Sequence, residues 1–145
     1  MKPLIQVKTN QAVGLASYLR MNPASGVVEI GHLHFSTAMQ QTAHASEAMY
    51  LMMKRVFEEQ RYRRYEWKCD DLNVPSKRAA LRLGFSFEGV FRQAAIYKNR
   101  NRDTAWFTIL DTEWPQLKQA FESWLDVDNF TKAAQQKASL QSFRA

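Results

Sequence analysis

The segment Gln40–Gln60, QQTAHASEAMYLMMKRVFEEQ, constrains the fold most, because a loop of small and polar residues passes there into a helical run without proline. Ala45, Ala48, Met49, Met52 and Val56 recur at helical spacing while Lys54, Arg55, Glu58 and Glu59 fall largely elsewhere, so one stripe buries and another stays wet. Val27–Phe35 before it and Arg64–Asp70 after it read as strands. A helix joining two strands of one sheet is a crossover, so this pair runs parallel at the heart of the sheet. The helix start also leaves N–H groups without partners and carries partial positive charge, and Thr42, Ala43, Ala45 and Ser46 are small enough to let an anion approach. Taken alone, the loop reads first as an ordinary helix start and only second as a phosphate-binding turn.

Around this unit the chain reads in order. Leu4–Thr9 and Ala12–Arg20 form a hairpin joined at Asn10 and Gln11, and Asn22–Gly26 turns into Val27–Phe35, giving a three-stranded antiparallel meander. Simple alternation places Val28, Ile30, His32 and His34 on one face of that third strand and Glu29, Gly31, Leu33 and Phe35 on the other. Gly31 in mid-strand signals a bulge or a close approach to the backbone. Two histidines two apart invite a metal reading, but no third ligand has supporting spacing, so no metal is expected. Pro75–Leu83 is a short helix ending at Gly84, Phe87–Ile96 and Thr104–Leu110 pair across a polar loop Lys98–Asp103, and Glu113–Leu125 closes the fold as an amphipathic helix. Trp67 and Phe107 belong in the core, and Tyr97 on the surface. The fold class is α/β with a mixed sheet: antiparallel meander, parallel β-α-β crossover, then a C-terminal hairpin and helix. Residues 1–125 make one domain, and 126–145 a polar, loosely packed tail.

Composition narrows the partners. With 145 residues and 46% hydrophobic content a single core is affordable in size, and the lone Cys69 excludes an intrachain disulfide. Neither a secretory leader nor a membrane-spanning run is read, so a cytoplasmic protein with no membrane partner is expected. The excess of 20 Lys and Arg over 14 Asp and Glu favours anions, with basic residues gathered at Arg61–Arg64, Lys77–Arg78 and Lys98–Arg102. Those runs contain no nucleic-acid reading motif, and a phosphorylated cofactor accounts for the same charge.

Asn73–Phe85 (NVPSKRAALRLGF) resembles the N-x-x-S-x-x-(apolar)…G-F signature of the GNAT superfamily of N-acetyltransferases. Gln40–Ala45 (QQTAHA) resembles that family's Q/R-x-x-G-x-G/A loop, and Ser46-Glu47-Ala48 its T/S-E-A continuation. Phe87–Arg92 (FEGVFR) with Asp103 is similar to the F-x-x-E-G-x-x-R…D pattern of the RimJ/RimL-type branch, whose named members acetylate N-terminal amines of ribosomal proteins. Four motifs in order, over roughly Ala12–Leu125, stand on the elements already drawn.

The resemblance implies transfer of an acetyl group from acetyl-CoA to an amine within a ternary complex. It assigns the pyrophosphate to backbone N–H groups of the stretch Gln40, Gln41, Thr42, Ala43, His44, Ala45 and Ser46. The pantetheine arm falls between the two parallel strands, paired with backbone at Leu33 and Phe35 and fixed by Asn73. A backbone N–H near His34 or Phe35 serves the oxyanion. Glu29, His32, His34 and Glu66 are candidate bases, and Ser76 is the donor to the leaving sulfur, because Ala80 stands where many relatives carry tyrosine. Ala43 replaces the first loop glycine, which is harmless only if its φ is negative and its methyl turns away from the pyrophosphate. The family's fold normally begins with a strand and two helices that this chain does not show, so a homodimer is expected to cover the exposed sheet. The alternative is a non-catalytic acyl-CoA-binding or interaction protein.

Overall fold

A computed structural model describes residues 1–144. Six strands stand in the order β1-β2-β3-β4-β6-β5: β1 Lys2–Gln6, β2 Gln11–Asn22, β3 Val27–Phe35, β4 Arg64–Asp70, β5 Ser86–Tyr97 and β6 Arg100–Leu110. All neighbours are antiparallel except β3 and β4, which the helix α1 (Ala43–Lys54) connects. The mixed sheet read from the sequence is therefore present. Helix α2 (Val74–Arg82) follows β4, and α3 (Trp114–Leu125) follows β6.

One face of the sheet carries Val28, Ile30, Tyr65, Trp67, Phe107 and Ile109, all nearly inaccessible, and the helices pack there. Tyr18 donates its hydroxyl to Met52 O of α1 at 2.9 Å, Trp67 Nε1 donates to Ser76 Oγ of α2 at 3.0 Å, and Trp114 of α3 stacks on Phe57, which meets Tyr65 edge-on. Trp67 and Phe107 lie in this core and Tyr97 is exposed, as read from the sequence. Gly84 has φ +101° and ends α2; a Cβ there would stand 2.6 Å from Leu117 Cδ1, so both conformation and space require glycine.

Three local readings need correction. The long central helix ends in one π-helical turn, Arg55–Glu59, rather than continuing regularly to Gln60. The polar loop expected at Lys98–Asp103 is a tight two-residue turn, Lys98 and Asn99 with φ of 48° and 59°, because the strands pair out to Tyr97 and Arg100. The loose packing expected of the tail is also wrong. Leu140 is 1% exposed in the main core, and Asn129 Nδ2 donates to Trp124 O while its Oδ1 accepts from Ala138 N. Arg144 Nη1 donates to Leu81 O at the end of α2.

Leu140→Ala is accordingly expected to cost about 2–5 kcal/mol in denaturant unfolding, the range for a large-to-small core change. A loss below about 0.5 kcal/mol, typical of a surface substitution, would contradict this packing.

Candidate functional site

The parallel pair β3–β4 is short. Val27, Val28, Glu29 and Ile30 pair with Arg64, Tyr65, Glu66 and Trp67, and pairing stops there. Beyond it β3 stays with β2 and β4 stays with β6, so a cleft opens between Gly31–Phe35 and Lys68–Asp70. A bulge helps to part them: the β2–β3 register slips by one residue between Leu15 and Ser17, opposite His32, whose φ is +49°. Gly31 thus signalled a bulge correctly, and the extra residue is His32.

The bulge reverses the face alternation. Leu33 and Phe35, not His32 and His34, pack against the core, and both histidines are exposed. The single-face reading of Val28, Ile30, His32 and His34 is corrected on this ground. The bulge also sets the direction of the backbone. Ser36 N donates to Val13 O at 2.9 Å on the β2 side, so by strand alternation the N–H of His34 faces β2 while those of Leu33 and Phe35 face the cleft.

At the cleft's mouth the loop Ser36–Thr42 leads into α1. Gln40 Nε2 donates back to Phe35 O at 2.9 Å, and Gln41 takes the left-handed conformation with φ +59°. Thr42 spends its hydroxyl on Met39 O at 2.7 Å and gives the helix no side-chain cap, and no acidic residue stands in the first turn. The N–H groups of Ala43, His44 and Ala45 therefore keep their usual lack of intrahelical acceptors. Ala43 is the first helical residue and does not have positive φ, which meets the backbone half of the condition set above. Ser46 is buried as a whole residue, with its hydroxyl accepting from Arg82 Nη2, so it is closed to a ligand.

Asn73 caps α2, its Oδ1 accepting from Ser76 N at 3.1 Å, which leaves its amide NH2 free. Ser76 accepts from Trp67 and keeps a proton to donate; Cys69 lies beside it, its thiol pushed up by burial. Ala80 is fully buried and offers no acid.

The opposite sheet face carries a row of charges that reading the sequence missed. Arg20 Nη1 meets Glu29 Oε2 at 2.6 Å; Lys68 Nζ joins Glu29 and Glu66 at 3.0 and 2.8 Å; Arg64 Nε reaches Glu66 Oε1 at 2.7 Å and its two terminal nitrogens grip Glu88. The legible signal was Arg64-x-Glu66-x-Lys68, three alternating charges at strand spacing. Both acidic candidates for a base belong to this row. Glu66 has each oxygen occupied, whereas Glu29 has both cations on Oε2 and no described hydrogen bond to Oε1.

Comparison with known proteins bears on this cleft. The pattern described as an acetyltransferase (GNAT) domain matches residues 3–86. The chain belongs to the GNAT acetyltransferase family. A GCN5-related N-acetyltransferase from Brucella melitensis is 48% identical with TM-score 0.95, covering 98% of this chain and 64% of its own. A GNAT-family chain from Chromobacterium violaceum is 50% identical with TM-score 0.71, over 73% of this chain and 53% of its own. The ribosomal-protein-serine acetyltransferase of Escherichia coli (strain K12) is 27% identical over 107 residues, 73% of this chain and 59% of that protein. This GNAT chain therefore spans about three-fifths of the longer relatives.

Within the GNAT sheet the charge row sets a pH dependence. Burial works to raise the Glu66 carboxyl, but hydrogen bonds from Lys68 and Arg64 outweigh it and hold the group below the ordinary carboxylate range. A depressed folded value means that the unfolded chain binds the proton more readily. The stabilisation is complete above the ordinary value of about 4.3 and is lost as pH falls through the lower folded value. The melting temperature is expected to fall on acidification below about pH 4.3, and less steeply in Glu66→Gln; equal slopes would contradict the pairing. The remaining slope belongs to carboxylates such as Glu88, which Arg64 also holds low.

Proposed function

We propose that this chain transfers an acetyl group from acetyl-CoA to an amine, and that the cleft between β3 and β4 is where the transfer happens. The observation that carries this reading is the cleft itself: the strand N–H groups of Leu33 and Phe35 face it away from β2, with the uncapped start of α1 at its mouth. The N–H groups from Gln41 to Ala45 hold the pyrophosphate, an anion suited to a helix N-terminus. The pantetheine amides pair with the carbonyl of Leu33 and the N–H of Phe35 like an added strand. The amide NH2 of Asn73 fixes the arm.

The chemical step follows. The amine nitrogen attacks the thioester carbonyl, and the developing oxyanion meets the N–H of Leu33, the cleft-facing donor nearer the apex, rather than that of His34, which points at β2. The new C–N bond forms as the C–S bond breaks. Glu29 Oε1, directly or through water, takes the proton the nitrogen loses, and Ser76 donates toward the departing sulfur. Glu29 is preferred to Glu66 because it alone has an oxygen unclaimed; exposed His34 is the second candidate. A protein or peptide amine next to serine is the first acceptor to try, given the name of the Escherichia coli relative.

Two sheet edges support the homodimer. In particular, β5 exposes Phe87, Phe91, Ile96 and Tyr97 by at least half. A stable monomer by light scattering at micromolar concentration would remove it.

Release of CoA thiol should require both acetyl-CoA and an amine, screened with a peptide bearing an N-terminal serine, spermidine and benzylamine. Asn73→Ser, which keeps the helix cap but loses the amide, is expected to raise KM for acetyl-CoA about tenfold, the scale of one lost hydrogen bond. Glu29→Gln is expected to lower kcat by about 100-fold or more. Turnover unchanged in both variants would contradict the assigned roles.

A further inference from the structure

Glu29 and Glu66 stand directly opposite each other in the β3–β4 register and are both nearly inaccessible, an arrangement of like charges that is unfavourable without a bridge. Lys68 supplies it. Its Nζ contacts Oε2 of both carboxylates and lies 3.8 Å from the centre of the Trp106 ring, with the side chain 12% exposed. Trp106 is its direct partner across β4–β6, and Phe91 stacks behind that ring at 4.4 Å. The ammonium is thus held by two carboxylates and an aromatic face.

Its position along the sheet matters as much as its partners. Lys68 follows Trp67, the last residue of β4 paired with β3, so it is the first side chain on this face after the strands part. Glu29 is one residue before the parting on the other strand, and its Oε1 lies 3.9 Å from where a Cβ on Gly31 would stand. That Cβ would also strike Leu19 Cδ1 at 2.5 Å, so the absence of a side chain at Gly31 is what lets Leu19 pack beside Oε1 without displacing Glu29.

We propose that Lys68 is a positioning residue for acetyl transfer: seated on Trp106 and braced by Glu66, it clamps Glu29 through Oε2 and holds Oε1 toward the acceptor amine at the apex of the cleft. This rests on the role of Glu29 given above. Arg20 completes the clamp from β2, but its side chain is 67% exposed and its grip is screened. Without Lys68 the two carboxylates repel across the strand pair, and Glu29 swings away from the apex. Misplacement of a reacting group by about 1 Å costs on the order of 100-fold in rate.

A double-mutant cycle tests this with the amine from the panel above that turns over fastest. Lys68→Met is expected to lower kcat by about 10- to 100-fold with KM for acetyl-CoA changed less than about twofold. Lys68→Arg, which restores the charge, should recover most of the loss. In the Glu29→Gln background Lys68→Met should cost less than about twofold further, because residues that act as one unit are not additive. A purely structural lysine would lower the melting temperature yet give additive losses, and additivity overturns the proposal. Should Lys68→Met fail to fold, Lys68→Gln carries the same cycle. A wild-type chain that releases no thiol with any of the three amines overturns the transfer reading and the clamp together; an active wild type with additive losses overturns the clamp alone.

Discussion

Everything in this chain turns on where two parallel strands stop pairing. β3 and β4 share four residue pairs and then separate, and a sheet that opens in its middle leaves unsatisfied backbone polar groups away from its edges. Such groups are costly unless water or a ligand meets them. The bulge at His32 and the loss of a side chain at Gly31 both serve this opening, and α1 begins at its mouth with its first N–H groups uncapped. A ligand with amides along its length and phosphate at one end fits such a gap, and acetyl-CoA is of that kind.

The helix face and the charged face divide the work. Packing of α1, α2 and α3 against Tyr65, Trp67 and Phe107 makes the sheet rigid where the strands still pair. The row from Arg20 to Glu88 covers the other face with ion pairs, several of them nearly inaccessible. Buried ion pairs are weak evidence for stability, because desolvation offsets much of the attraction. Their value here is geometric. Alternating charges on neighbouring strands fix which oxygen of each carboxylate is engaged, and Glu29 is left with one oxygen unclaimed beside the opening.

Much of this was legible in the sequence, for identifiable reasons. The crossover and the parallel pair follow from helical spacing in Gln40–Gln60 between two alternating runs, a signal that uses only local periodicity. The terminator Gly84 was equally local. Face assignment along β3 failed beyond Gly31, since one inserted residue reverses alternation and its exact site depends on register with β2. The tail misled because its packing rests on one apolar residue, Leu140, and on Asn129 bonding backbone nine residues away. Of the candidate site, the small-residue loop before α1 was readable, but Ser46 is tied to Arg82 at 36 residues' separation and the charge row spans four strands; neither is visible without topology.

Backbone amide chemical shifts followed during titration with acetyl-CoA test the central claim most directly, because they report binding residue by residue without needing an acceptor. The account predicts that the largest changes fall on Leu33, Phe35, Ala43, His44 and Ala45 and on the side-chain amide of Asn73, while β1 and the segment around Leu140 stay unmoved. Changes absent from these amides at millimolar acetyl-CoA, or gathered elsewhere on the surface, would contradict it.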